Sequence, residues 1–133
     1  MSENLELVRS IYEDWERGDF TDASWADPEI EFELADGPEP GSVKGVAEMA
    51  LSWSYRLGVW EGLRTVPDDY RELDEERVLV LCRFSGRGKS SGLDLGPMGL
   101  EGACIFHIRH GKVTRLAVYV DRAEALKAAG LTE

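Results

Sequence analysis

A chain of 133 residues has room for one ordinary domain, taken as residues 1–133, and a domain of this size can bury a core without disulfide or metal staples. Acidic residues number 26 against 15 basic ones, which gives a net charge of −11. This balance argues against nucleic acids and anionic membranes as partners, because both attract clustered Lys and Arg. The N-terminal segment has no continuous apolar stretch, so we expect neither a signal peptide nor a membrane anchor.

The two cysteines indicate a reducing compartment. Cys82 and Cys104 both lie inside apolar runs, and neither has a second Cys or a His at metal-ligand spacing. We therefore expect buried free thiols, no metal site and a cytoplasmic location.

The first part of the chain predicts a helix, a strand and a loop. A helix that starts at Ser2 and ends near Gly18 is indicated by apolar residues at spacings of three and four, namely Leu5, Val8, Ile11, Tyr12 and Trp15. Segment 27–34 reads DPEIEFEL and alternates apolar residues with glutamates, which predicts a half-buried strand. Segment 35–45 is dense in Gly and Pro and predicts a loop.

The middle of the chain predicts a second helix followed by strands. Segment 46–63 has an apolar stripe of helical spacing that weakens beyond Gly58 and consists of Met49, Trp53, Leu57 and Trp60. Segment 63–73 predicts a short strand that is broken at Pro67. Segment 76–88 predicts a strand that is covered on both sides, because apolar residues occupy both of its faces.

The last part predicts a loop, a hairpin and a terminal helix. Segment 89–102 predicts a turn or mobile loop, and two alternating runs that meet at RHGK (109–112) predict a hairpin. Segment 121–130 predicts a short helix that ends near Gly130. Helices segregated from a meander of strands indicate the α+β class, with a concave space between sheet and helices where small ligands commonly bind.

Four segments in this order resemble the SnoaL-like branch of the nuclear-transport-factor-2-like (NTF2-like) superfamily. They read ENLELVRSIYEDWERGDF, DPEIEFE, RVLVLCRFSGRGKSSG and HGKVTRLAVYVDRAEALKAAGL. The resemblance implies a cone-shaped α+β fold, with a strongly curved, mostly antiparallel sheet and helices packed on its concave side around a deep apolar pocket. It also implies homodimers through the sheet and no cofactor. The family includes ketosteroid isomerase, limonene epoxide hydrolase, polyketide cyclases, scytalone dehydratase and proteins that only bind or assemble, so the fold does not decide the function.

The recognised catalytic sets of this family are incomplete in the sequence. The isomerase base position falls on Leu34, with Asp36 two residues later, and the Asp donor position falls on Cys104, a poor hydrogen-bond donor. The Tyr donor position falls near Ile11 or Tyr12. The epoxide hydrolase set also lacks parts, because its two Asp positions fall on Ser85 and Val118.

The sequence allows two roles for Asp121: an acid or base of the polyketide-cyclase type, or the N-cap of the terminal helix. Strand alternation turns Leu116, Val118 and Val120 inward and Asp121 outward. Asp121 also precedes an apolar helix and has Glu124 three residues later, the pattern of a capping box. The sequence favours the cap.

His107 and Asp36 are the other ionisable candidates. Cys104, Phe106 and Ile108 share one face of their strand, so His107 faces away from a pocket lined by them and is read first as a structural or interface histidine. Asp36 is the best acid, although an Asp before Gly is commonly a turn former.

Three hypotheses follow. The first is a cytoplasmic, dimeric protein that binds a small apolar organic molecule in a pocket lined by Tyr12, Trp15, Met49, Trp53, Phe84, Cys104, Phe106 and Val118. The second is a cofactor-independent isomerase, cyclase or hydrolase with Asp36 as base and Tyr12 or His107 as donor. The third is an interaction module that assembles through exposed Leu79, Leu81 and Ile105.

Overall fold

A computed structural model of the chain describes residues 2–36, 41–88 and 100–131. The elements in chain order are α1 (Glu3–Glu16), β1 (Ala26–Leu34), β2 (Gly41–Lys44), α2 (Val46–Val59), β3 (Trp60–Glu72), β4 (Arg77–Gly88), β5 (Leu100–Arg109), β6 (Lys112–Tyr119) and α3 (Arg122–Ala128). The strands form one sheet in the order β2-β1-β6-β5-β4-β3. β1 and β6 run parallel, and the other neighbours run antiparallel. The predicted α+β class and mostly antiparallel sheet are confirmed.

Local signals set the ends of several elements as predicted. The Ser2 hydroxyl accepts a hydrogen bond from the backbone N–H of Leu5 and caps α1. Gly18 follows α1 with φ of 79°, a backbone conformation that glycine adopts without strain. The β5–β6 turn has φ of 55° at His110 and 74° at Gly111, and positive φ at both central residues is the requirement of a tight hairpin turn.

The strand predictions were incomplete around β1 and β3. Part of the predicted loop 35–45 is β2, which pairs with residues 31–34 at the edge of the sheet. β3 is one long strand, and its register shifts between Pro67 and Asp69. Proline has no N–H to donate to the ladder, so the strand forms an irregularity there and continues. The predicted loop is also too long, since β5 already begins at Leu100, while residues 89–99 lie outside the described part of the chain.

The sheet has a core on each face, and one helix lies where it was not expected. α1 and α2 pack on the concave face, whereas α3 packs on the opposite face through Ala125 and Ala129. Coverage of both faces of β4 is thereby confirmed. The proposed assembly surface of Leu79, Leu81 and Ile105 is wrong, because α3 buries all three side chains. The sequence alone could not show this, because the helix that covers them follows β6 in the chain.

Within the described ranges, no helix is long and apolar enough to cross a membrane. The cytoplasmic location stays a prediction.

Candidate functional site

One apolar cluster lies between the concave face of the sheet and helices α1 and α2. We call it the concave cluster, and it contains all eight residues predicted to bind a ligand: buried Tyr12, Trp15, Met49, Cys104 and Phe106, and half-buried Trp53, Phe84 and Val118. Period-two alternation turns the four strand residues toward the same face of β4, β5 and β6, and the apolar stripes of α1 and α2 supply the other four. The structure therefore assembles the predicted lining, and its use in binding stays a prediction.

Aromatic rings form much of this cluster, with Trp15 at its centre. The ring of Trp15 lies 5.0 Å from that of Tyr12, 5.7 Å from Trp53 and 6.0 Å from Trp25, measured between centroids. Edge-to-face pairs at such distances stabilise beyond the apolar area that they bury. Trp25 was missed by the sequence analysis because it lies before β1, outside any periodic segment. Its indole N–H donates to the carbonyl of Asp22 at 2.8 Å.

Some of the concave cluster is only half-buried. Its partly buried side chains include four large apolar ones, namely Leu34, Trp53, Phe84 and Val118. Gly102 makes room for one of them, because a Cβ at that position would lie 2.6 Å from the Phe84 ring and would clash with the Tyr119 carbonyl oxygen. The absence of a side chain at Gly102 thus lets the Phe84 ring lie against the backbone of β5.

Three polar groups lie inside the concave cluster: the Tyr12 hydroxyl and the thiols of Cys82 and Cys104. The Tyr12 hydroxyl is buried and makes no hydrogen bond of ordinary geometry, although both thiols lie close enough to influence it. Burial, followed by the two neighbouring thiols, raises the pKa of Tyr12 well above its ordinary value. Interaction with the Cys104 thiol, followed by burial, raises the pKa of Cys82. Tyr12 and Cys82 are therefore protonated near neutral pH and can act as donors.

No charged residue is buried among the side chains that the structure describes, which exclude those of residues 55–63, 87–88 and 100. Among the same side chains, Thr65 is the one buried polar residue besides the tyrosine, tryptophan and cysteine residues. In the described part of the chain, no group of three or more His, Cys, Asp or Glu side chains is arranged to hold a metal ion. The described interior thus presents hydrogen-bond donors but no ionised acid or base.

Asp36 lies at the end of β1, with its carboxylate in hydrogen bonds to the backbone. Oδ1 accepts from the N–H of Val120 at 2.7 Å, and Oδ2 accepts from the N–H of Asp121 at 3.1 Å. These bonds extend the pairing of β1 with β6, whose last backbone bond runs from the Ala35 N–H to the Val118 carbonyl. This placement favours a structural role, and the proposed role of Asp36 as a base stays a prediction.

Asp121 caps α3, as its sequence context predicts. Its carboxylate accepts from the backbone N–H of Ala123 at 3.0 Å. In a full capping box, the side chain of Glu124 would accept from the N–H of Asp121. Here Asp36 accepts from that N–H instead.

Arg122, the first residue of α3, ties the helix to three strands. Its guanidinium donates to the carbonyls of Cys82 at 2.8 Å and Gly102 at 3.2 Å, and pairs with Asp68 at 3.0 Å. Arg83 pairs with the same carboxylate at 2.8 Å. Partial burial raises the pKa of Asp68, but the two guanidinium groups outweigh it and leave the pKa below its ordinary value.

His107 lies on the face of the sheet opposite the concave cluster, half-buried and paired across strands with Arg77 and Arg115. Burial and then the charges of these two arginines lower the pKa of His107. No hydrogen bond joins any two of Asp36, Tyr12 and His107 in the part of the chain that is described, so the proposed catalytic set is not assembled there. The predicted homodimer through the sheet stays a prediction.

No protein-family model matches the chain, and no curated protein matches it in sequence. Solved structures do match. An NTF2-like protein of unknown function from Burkholderia pseudomallei is 21% identical with a TM-score of 0.77, over 96% of this chain and 97% of that one. A protein of unknown function with a cystatin-like fold from Xanthomonas campestris is 19% identical with a TM-score of 0.76, over 100% of both chains.

A third similar structure, TerC crystallised with polyporic acid, is 21% identical with a TM-score of 0.74, over 97% of this chain and 99% of that one. Other matches include a candidate polyketide cyclase from Sinorhizobium meliloti and a candidate SnoaL-like polyketide cyclase from Mesorhizobium loti. At these identities the likeness concerns the fold alone. The chain therefore has the NTF2-like fold, in agreement with the SnoaL-like resemblance of its sequence.

Proposed function

We propose that the protein binds a small, mostly apolar organic molecule against the concave cluster, and that a hydrogen-bond acceptor of this molecule meets the Tyr12 hydroxyl. The observation that carries the proposal is this hydroxyl, which is buried among aromatic side chains and makes no hydrogen bond of ordinary geometry, with only the two weakly hydrogen-bonding thiols close to it. An unpaired buried polar group costs about 1–3 kcal/mol. A ligand that accepts from the hydroxyl removes this cost, and the free protein keeps it.

The half-buried side chains of the concave cluster support a binding site at this place. Apolar surface that stays accessible can mark a ligand or partner site. Leu34, Trp53, Phe84 and Val118 each keep part of their apolar surface accessible. The structure of TerC with polyporic acid supports the idea that this fold accommodates an organic molecule.

The neutrality of the site defines the class of ligand. Tyr12 and Cys82 are protonated, and the side chains that the structure describes include no buried carboxylate or cation. A charged ligand would lose its hydration without gaining an opposite charge. The favoured ligand is therefore an uncharged molecule with a carbonyl or ether oxygen. No specific observation favours acid–base turnover by Asp36, Tyr12 and His107.

The test uses prodan, a neutral fluorescent naphthalene that carries one ketone. We expect wild-type protein to bind prodan with a blue shift of its emission, and Tyr12→Phe to weaken the binding about tenfold, or about 1.4 kcal/mol. The parent dimethylaminonaphthalene lacks the ketone and should bind both proteins equally. Tyr70→Phe is the matched control, because the Tyr70 ring also contacts Tyr12 but is half-buried. Absence of prodan binding, or equal losses in the two tyrosine variants, would refute the proposal.

A second pair of variants tests the position of the site. Val118→Phe enlarges a half-buried side chain of the concave cluster and should weaken the binding of both probes. Tyr119→Phe changes the next residue, which packs on the opposite face of the sheet, and should leave the binding unchanged. Unchanged affinity in Val118→Phe would place the bound probe elsewhere.

A further inference from the structure

The two cysteines of the chain are neighbours on the concave face of the sheet. Cys82 of β4 lies opposite Gly102 of β5, and Cys104 of β5 lies opposite Val80 of β4. The two thiols thus occupy diagonal positions, two residue pairs apart in the register, on the same face. Gly102 places no side chain opposite Cys82, and Cys104 is a diagonal neighbour of Cys82 on β5.

Both thiols are free and fully buried, with exposed fractions of 0% at Cys82 and 1% at Cys104. The Tyr12 hydroxyl, itself buried and unpartnered, lies beside the two sulfur atoms. Hydrophobic packing alone would accept alanine or valine at either position. The proposed function uses the hydroxyl and leaves the paired thiols without a role.

We propose that Cys82 and Cys104 form a two-thiol site for a trivalent organoarsenical with one organic substituent. An arsenoso group, R–As=O, condenses with two thiols to give a cyclic dithioarsenite. Two S–H bonds and the As–O bonds break, two As–S bonds form, and the oxygen leaves as one molecule of water with the two protons. Arsenic stays trivalent, so the step needs neither an oxidant nor a reductant.

Charge favours this product over a two-thiolate complex of a monovalent metal ion. The dithioarsenite is uncharged, and its organic substituent can pack against the aromatic rings of Tyr12, Trp15 and Phe106. A monovalent metal ion held by two thiolates would leave one net negative charge in an interior where the side chains that the structure describes offer no buried counter-charge. Thiolate-dependent oxidation is also disfavoured at Cys82, because the Cys104 thiol and burial raise its pKa.

The experiment uses reduced full-length protein and phenylarsine oxide. We expect intact-mass analysis of the folded protein to show one adduct, with the mass gain of one phenylarsenic group less two hydrogens. The sequence contains two cysteines in all, so every adduct reports on this pair. In Cys82→Ser and Cys104→Ser, only one As–S bond can form, because the second thiol is missing and no longer acts at high effective concentration. We therefore expect 2,3-dimercaptopropanol to remove the arsenical from these variants at a concentration about a hundredfold lower than from wild type.

Two controls are needed. One tests whether the adduct requires the Tyr12 hydroxyl, and the other excludes misfolding as the reason that a cysteine variant binds the arsenical weakly. Tyr12→Phe keeps both thiols and should form the same adduct. If a serine variant loses its native tryptophan emission and is therefore misfolded, Cys82→Ala or Cys104→Ala is used in its place. An adduct that appears only after addition of denaturant, or a single-cysteine variant that holds the arsenical as tightly as wild type, would overturn the inference. The two-thiol site does not require the apolar ligand: failure of prodan to bind would refute the proposed function and leave the adduct expected.

Discussion

The carboxylate of Asp36 accepts a hydrogen bond from the backbone N–H of Asp121 at 3.1 Å, and the carboxylate of Asp121 in turn caps α3. Asp36 thereby takes the place that Glu124 would fill in a local capping box. One aspartate at the end of β1 joins the end of β6 to the start of α3. The helix that covers the outer face of the sheet is thus anchored by a residue far away in the sequence.

Asp36→Asn should destabilise the fold. An asparagine side chain has one acceptor oxygen and one donor amide, so at least one of the two N–H groups of Val120 and Asp121 loses its partner. Hydrogen bonds to charged groups contribute about 1.5–3 kcal/mol, and we expect a loss of about 1–2 kcal/mol in the free energy of unfolding because the Asp121 bond is exposed. Urea unfolding at pH 7 measures it.

Asp69→Asn is the control for Asp36→Asn, because Asp69 pairs with exposed Arg71 on the surface. Its effect should stay within about 0.5 kcal/mol. Equal stability of Asp36→Asn and wild type would show that Asp36 is not an anchor. The same result would favour the alternative prediction that Asp36 acts as a base.

The sequence predicts what depends on neighbours along the chain. The Ser2 and Asp121 caps and the turn at Gly111 follow from residues within three positions of each feature. Alternation also predicts correctly that Cys104 and Phe106 face the concave cluster. These features are set by backbone geometry, which the local sequence largely decides.

Features that depend on the register between distant segments could not be predicted from the sequence. The pairing of Asp36 with Val120 and Asp121, and the diagonal placement of Cys82 beside Cys104, both require the alignment of separate strands. The covering of Leu79 by α3 depends on where the chain turns after β6. Trp25 joins the aromatic cluster from a segment without periodicity.

Tyr12→Phe should stabilise the ligand-free protein. The mutation removes a buried hydroxyl without a hydrogen-bond partner and keeps the ring that packs on Trp15 and Phe106. We expect a gain of about 1 kcal/mol in the free energy of unfolding, measured in urea without ligand. The opposite result, a loss of about 1 kcal/mol or more, would show that the hydroxyl has a partner in solution, such as a bound water.

Asp68 should make stability depend on pH at the acidic end. Its pKa in the folded protein is below the ordinary value, since Arg122 and Arg83 outweigh the effect of burial. A group with a depressed folded pKa contributes stability above its unfolded pKa, about 3.9, and this contribution is lost as pH falls through the folded pKa. Asp68→Asn should therefore lower the urea midpoint at pH 6 and approach wild type at the lowest pH where the protein stays folded. A difference that is constant across this range would contradict the assignment.

His107 should make stability fall as the pH drops below about 6.5. Its pKa in the folded protein is below the ordinary value, about 6.5, because of burial and then of Arg115 and Arg77. Protonation therefore favours the unfolded chain, so the contribution of His107 is complete above the unfolded pKa and is lost as pH falls toward the folded one. His107→Gln should flatten the plot of urea midpoint against pH over this interval. The control is His110→Asn, which changes the exposed turn residue with φ of 55° to one that tolerates this backbone conformation. An equal slope in His107→Gln and wild type would mean that His107 is not held neutral by its surroundings.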